Sequence, residues 1–138
     1  MKILIIQEKG RHLANWNFRE SLSFQKAFTK LGIESVVWGL NYPNYNLSFE
    51  EVSKDCDVVF LLENYNNGWL PNISKFKGLK IFYSIDSHVI PHQHINTCNV
   101  NNIDVVLNAI ESHSKLFKQK CYYVAPSYTD DLIYPMNI

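Results

Sequence analysis

Lys2-Ile3-Leu4-Ile5-Ile6-Gln7 decides the fold, because four consecutive aliphatics this early in the chain describe a strand buried on both faces. Such runs belong to the centre of a parallel sheet, where helices cover both surfaces. Working outward, similar runs recur. Ile33 to Leu40 (IESVVWGL) and Cys56 to Leu62 (CDVVFLL) read as strands two and three, and Lys80 to Ile85 (KIFYSI) as strand four. Asp104 to Asn108 (DVVLN) is the fifth and Cys121 to Ala125 (CYYVA) the sixth.

Helical patterns fill several of the gaps. Between Asn17 and Leu31, Phe24, Phe28 and Leu31 recur at i, i+4, i+7, and Gly32 supplies the stop. Ser48 followed by Glu51 has the spacing of a capping box and starts a second helix. Asn64 to Gly78, rich in Asn and Gly, reads as a long loop with room for a short helix, and Ser112 to Lys118 as a short helix. Strands alternating with helices imply right-handed βαβ crossovers and parallel pairing. The expectation is one domain over residues 1–138. It is an α/β, three-layer, Rossmann-like doubly wound and mostly parallel sheet of about six strands, in the order 3-2-1-4-5-6. Ligands would then sit outside the carboxyl ends of the strands, between the first and the fourth.

Composition narrows the partners. Thirteen basic and thirteen acidic residues cancel, so the basic field that phosphate neutralisation needs is lacking and nucleic acid is not expected. Ile3 to Ile6 is too short for a signal segment or a bilayer span, which predicts a cytoplasmic chain without a membrane span. Cys56, Cys98 and Cys121 are odd in number, distant from one another and form no CxxC, so they read as reduced thiols. Tyr and Trp residues beside Asn, Pro and Gly suggest a cleft lined by aromatics.

The ligand edge collects the unusual residues. Loop one carries Gly10, Arg11 and His12; loop three carries Glu63, Asn64 and Tyr65; loop four carries Asp86, His88, His92 and His94. Carboxylates, amides and aromatic faces suit a polyhydroxylated ligand. No GxGxxG or Walker A motif is present, although Arg11 and His12 before a helix could hold an anion. Asp86 and His88 read as an acid–base pair, with Asp86 orienting or charge-stabilising the imidazole. Two other readings stand beside it. Asp86 could simply cap a helix, or the three histidines could bind metal with Asp86, although HxxxHxH around Pro91 matches no strong zinc spacing.

These residues resemble a family. MKILII, NFRESLSFQKAFTKLG followed by IESVVWG, IFYSIDSH with His92 and His94 after it, DVVLNAIESHSKLF, and YYVAPSYTDDLIYPM together look like the amino-terminal domain of GT-B glycosyltransferases. The nearest groups are the spore-maturation CgeB-like branch and the family 4-like glycosyltransferases. The resemblance implies an acceptor-side domain facing a donor-binding domain that these residues do not contain, with the nucleotide-sugar and acceptor meeting between the two. It implies Asp86 and His88 as catalytic. Gly10, Arg11, His12, Glu63, Asn64, Tyr65, His92 and His94 would be substrate-binding, with no metal or cofactor. It also implies little activity for the chain alone and self-association through the exposed cleft face. A non-catalytic Rossmann-like ligand-binding or protein-interaction module is the alternative.

Overall fold

In the computed structural model, residues 1–126 are described. They form a six-stranded, entirely parallel sheet with helices on both faces. Its strands are β1 (Lys2–Ile6), β2 (Glu34–Trp38), β3 (Val58–Leu62), β4 (Leu79–Ser84), β5 (Val105–Asn108) and β6 (Lys120–Tyr123). The helices are α1 (Glu20–Lys30), α2 (Phe49–Ser53) and α3 (Pro91–Val100), with 3₁₀ segments at Leu13–Phe18 and Glu111–Leu116. The YTDD and YPM portions of the family resemblance lie outside the described residues.

The strand order is 2-1-3-4-5-6, not the expected 3-2-1-4-5-6. Burial explains the difference. All five residues of β3 are buried, so it needs a neighbour on each side, and it finds β1 (Ile3 opposite Val58) and β4 (Val58 opposite Leu79). β2 begins at exposed Glu34 and tolerates an edge. The switch point therefore falls between β1 and β3, where this class of sheet places its ligand crevice.

Handedness then distributes the helices. The step from β1 to β2 is the one leftward crossover. It puts α1 alone on the sheet face of Ile3, Ile5, Phe60 and Tyr83, which Phe24 and Phe28 cover. The rightward steps bring α2, the 64–78 loop and α3 to the opposite face. There Leu4, Ile6, Leu61 and Phe82 pack with Phe49, Ile73 and Cys98.

Local sequence accounts for the element ends. Ser48 Oγ accepts from the Glu51 amide at 3.3 Å while Glu51 Oε2 accepts from the Ser48 amide at 2.7 Å, completing the capping box of α2. α1 starts later than Asn17 because Arg19 is extended, at φ −70° and ψ 145°. The residues before it form a 3₁₀ segment instead. α3 forms where the sequence pattern predicts a loop. Its Asn, His and Thr residues are indifferent helix formers, and Pro91 in the first turn is its readable signal.

The long 64–78 loop holds no helix or strand. Its anchor is Trp69, packed 6.1 Å from the Trp38 ring and 5.9 Å from Tyr45. Tyr42 is buried too, its hydroxyl 2.9 Å from Ser21 Oγ. These aromatics pin loops to the core instead of lining a cleft, because a loop without its own hydrogen-bond ladder needs apolar burial to be held. All three cysteines are free thiols, and burial pushes Cys98 up to about 12. Among the described residues, no helix is long and apolar enough to cross a membrane.

Candidate functional site

A crevice of about 260 Å³ opens at the carboxyl ends of β1, β3 and β4. The end of β1 contributes Gln7 and Glu8, and the start of α1 contributes Arg19 and Glu20. Glu63, Asn64 and Tyr65 follow β3. Ile85, Asp86, Val89 and Ile90 follow β4. This is the β1/β3 switch point, displaced one strand from the expected position.

The floor is built from side chains that tie the loops together. Gln7, 1% exposed, accepts at Oε1 from the Ser21 amide (3.0 Å) and donates from Nε2 to Glu20 Oε2 (2.8 Å). It thereby caps α1 from the neighbouring strand. Asn64 is equally occupied: its Oδ1 accepts from the Glu8 amide at 2.7 Å, and its Nδ2 donates to the Leu62 carbonyl at 3.1 Å. Gln93 of α3 donates to the Asn64 carbonyl at 2.9 Å. The Asn64 side chain therefore locks the β1 and β3 ends together, and this bonding accounts for its burial.

The amino end of α1, where related sheets commonly cradle phosphate, already has a carboxylate. Glu20 occupies the first helical position and its Oε2 lies 3.6 Å from Arg19 Nη1. Arg19 Nε donates to the Glu8 carbonyl at 3.2 Å. The helix dipole is satisfied by the chain's own anion. Glu8, Glu20, Glu63 and Asp86 thus line the crevice together with one guanidinium, that of Arg19, and Arg11 stands at the rim over Tyr65.

Glu63 is strongly perturbed by its surroundings. Its Oε2 accepts from the amides of Ile85 and Asp86, the latter at 2.7 Å. Burial raises it to about 7 from 4.5; the two amide bonds pull the other way, and the Asp86 and Glu20 charges add to the rise. Beneath it, His94 Nε2 lies 3.5 Å from Glu63 Oε2, and His94 Nδ1 lies 2.7 Å from Ser84 Oγ. The His94 ring meets Phe82 edge-on, with centroids 5.3 Å apart. Burial holds His94 down at about 4, with Asp86 opposing, so at neutral pH the imidazole is uncharged. The contact is one between a neutral ring and a carboxyl, not an ion pair.

The residues singled out from the sequence are thus only partly gathered. Glu63, Asn64, Tyr65 and Asp86 line the crevice. Arg11 reaches its rim by stacking over the Tyr65 ring, 3.9 Å from the centroid. Gly10, at φ +100°, accepts at its carbonyl from Trp16 Nε1, which folds loop one on itself, and it packs behind Arg19 without lining the crevice. His12, His88 and His92 are exposed and do not line the crevice. His92 and His94 sit on α3 rather than in a loop. His94, 1% exposed, lies beneath Glu63, where its ring contacts Ser84 and Phe82. Among the described residues, no hydrogen bond or ion pair joins Asp86 to His88, and no three His, Cys, Asp or Glu side chains group as metal ligands. The turn after β4 is steadied instead by buried Ser87, whose Oγ is 3.0 Å from His113 Nδ1.

Gln7, Glu8, Arg19 and Glu20 were not singled out by the sequence. Their signal was faint: Gln7 and Glu8 are the first polar residues after an aliphatic strand, and Glu20 is an acid in a helix's first turn. Comparisons of the chain with protein-family models, curated proteins and solved structures return no match.

Proposed function

We propose that this domain is the acceptor-binding half of a glycosyltransferase of the GT-B type, with a polyhydroxylated acceptor held in the β1/β3 crevice and the nucleotide-sugar gripped by a separate donor half. The observation that carries the reading is the chemistry of the crevice. Its carboxylates are acceptors for hydroxyl protons, Tyr65 offers an aromatic face at the rim, and the α1 amino end is closed to phosphate by Glu20. That division suits a domain that takes the sugar-like partner and leaves the nucleotide to another.

Of the two residues that the resemblance marks for catalysis, Asp86 faces the crevice, with Glu63 beside it as a second carboxyl. In the proposed transfer, the acceptor hydroxyl gives its proton to one of these carboxylates as its oxygen bonds to the anomeric carbon. The nucleoside diphosphate leaves with the electron pair of the broken bond.

Titration of the isotope-labelled chain with glucose and with uridine diphosphate tests the division. Glucose is expected to move the amide resonances of Glu8, Asn64 and Asp86, and the diphosphate to leave them in place. The reverse pattern would overturn the proposal.

A further inference from the structure

We infer that the ligand of this crevice carries an ammonium group, as an amino sugar or another amine-bearing polyol does, seated against Glu63 and Asp86. The inference names a substrate class for the site proposed above and rests on that placement of the ligand in the β1/β3 crevice.

Charge comes first. Four carboxyl groups enter the cavity from three strand ends and one helix start, and the one cation among them is committed. Arg19 is bound through Nε to the Glu8 carbonyl and lies through Nη1 beside Glu20. Arg11 at the rim is engaged on the Tyr65 ring, so a neutral sugar would do nothing further to offset this excess of carboxyl groups, and a phosphate would add to it. An ammonium group neutralises it, in a setting where burial makes each charge pair stronger than in water.

His94 is the independent observation. It is 1% exposed, its Nε2 has no hydrogen-bond partner among the described residues, and it points at Glu63 Oε2 from below at 3.5 Å. In the tautomer in which Ser84 Oγ donates to Nδ1, Nε2–H is a buried donor without an acceptor, which is costly, and ionised Glu63 is the acceptor that relieves it. In that state Ser84 Oγ donates to Nδ1 and Nε2–H donates to Oε2, which already takes the amides of Ile85 and Asp86. Oε2 is then held from below, while the Glu63 side chain lines the crevice that the cation would enter. The two amides and His94 favour the Glu63 carboxylate, against burial first and the Asp86 and Glu20 charges second.

The groups facing Glu63 are Glu8 from β1, Glu20 and Arg19 from α1, Asp86 from the turn after β4, and His94 from α3. Three of the five carry negative charge. Burial, with the Asp86 and Glu20 charges adding to it, holds Glu63 at about 7, so an ammonium that requires its carboxylate binds more tightly as pH rises.

Calorimetric titration of the full chain with 6-amino-6-deoxyglucose and with glucose, at about pH 6 and about pH 8, tests the inference. Across this range the primary amine stays largely protonated. The amine is expected to bind about tenfold more tightly than glucose at the higher pH, and to lose about tenfold at the lower, where Glu63 is mostly protonated. Glucose is expected to show no such change. Glu63→Gln keeps the side-chain acceptor for the two amides and should abolish the pH dependence. Exposed Asp86→Asn should narrow the gap between the probes. Equal affinities, or affinities that do not respond to Glu63→Gln, would overturn the ammonium inference and leave the acceptor reading standing. Failure of both probes to bind at either pH would overturn both.

Discussion

Replacing Glu63 by Gln should make the folded chain more stable at alkaline pH and change the shape of its stability profile. In the native chain Glu63 titrates at about 7 against an ordinary 4.5, with its side chain 14% exposed. A carboxyl whose folded value is raised contributes stability that is fully present below 4.5 and lost as pH rises through about 7. Moving it that far is worth about 3 kcal/mol. His94, 1% exposed and held at about 4 against 6.5, works in the opposite sense. Its contribution is present above 6.5 and is lost as pH falls through about 4, again by about 3 kcal/mol. Between 4.5 and 6.5 the two slopes oppose, so these residues leave the native profile nearly flat there, with a fall as pH rises further to about 7. In Glu63→Gln the His94 slope stands alone: stability climbs from about pH 4 to about 6.5 and then holds. The difference between the two proteins should therefore grow by about 3 kcal/mol from about pH 4.5 to about 7.5. Urea unfolding followed by tryptophan fluorescence at closely spaced pH values measures it, with buried Trp38 as the reporter. Titrations elsewhere in the chain cancel in the difference. A gap between the curves that does not change with pH would refute the assignment of a buried, proton-holding Glu63.

Further expectations concern the scaffold around the crevice. Ser48→Ala removes one half of the α2 capping box and should cost about 1 kcal/mol in urea unfolding, without altering ligand binding. Asn64→Ala strips the acceptor from the buried Glu8 amide. It should cost about 1–3 kcal/mol and weaken glucose binding in calorimetry, because the β1 and β3 ends lose their tie. Gly39→Ala would drive a Cβ into the Gln7 backbone carbonyl, so far-UV circular dichroism is expected to show a chain that folds poorly or not at all.

How much of this was legible beforehand depended on whether the determinant was local. Leu4, Ile5, Ile6 and Leu61 announce themselves, because a strand buried on both faces must be apolar at every position whatever its neighbours are. Ser48 and Glu51 are legible for the same reason, since a capping box closes within four residues. α3 was missed because its helix is held by tertiary burial of His94, Thr97 and Cys98 rather than by propensity. Glu63, Asn64, Tyr65 and Asp86 could be placed on one edge from the strand ends alone. Gln7 and Glu20 could not be paired that way, because their hydrogen bond spans thirteen residues and depends on where α1 begins.

The linear chain by itself therefore determined the strands, the parallel α/β class and the edge on which polar loops gather, but not α3. Hydrophobic runs and short-range caps are properties of neighbouring residues. Tertiary structure alone decided that β3 lies between β1 and β4, and so which loops share a crevice. It also buried His94 under Glu63, closed the α1 amino end with the chain's own carboxylate, and left His88 and His92 exposed away from the crevice. Burial of a strand reports how many neighbours it needs, never which ones. The charge state of a carboxyl follows from what the fold places around it.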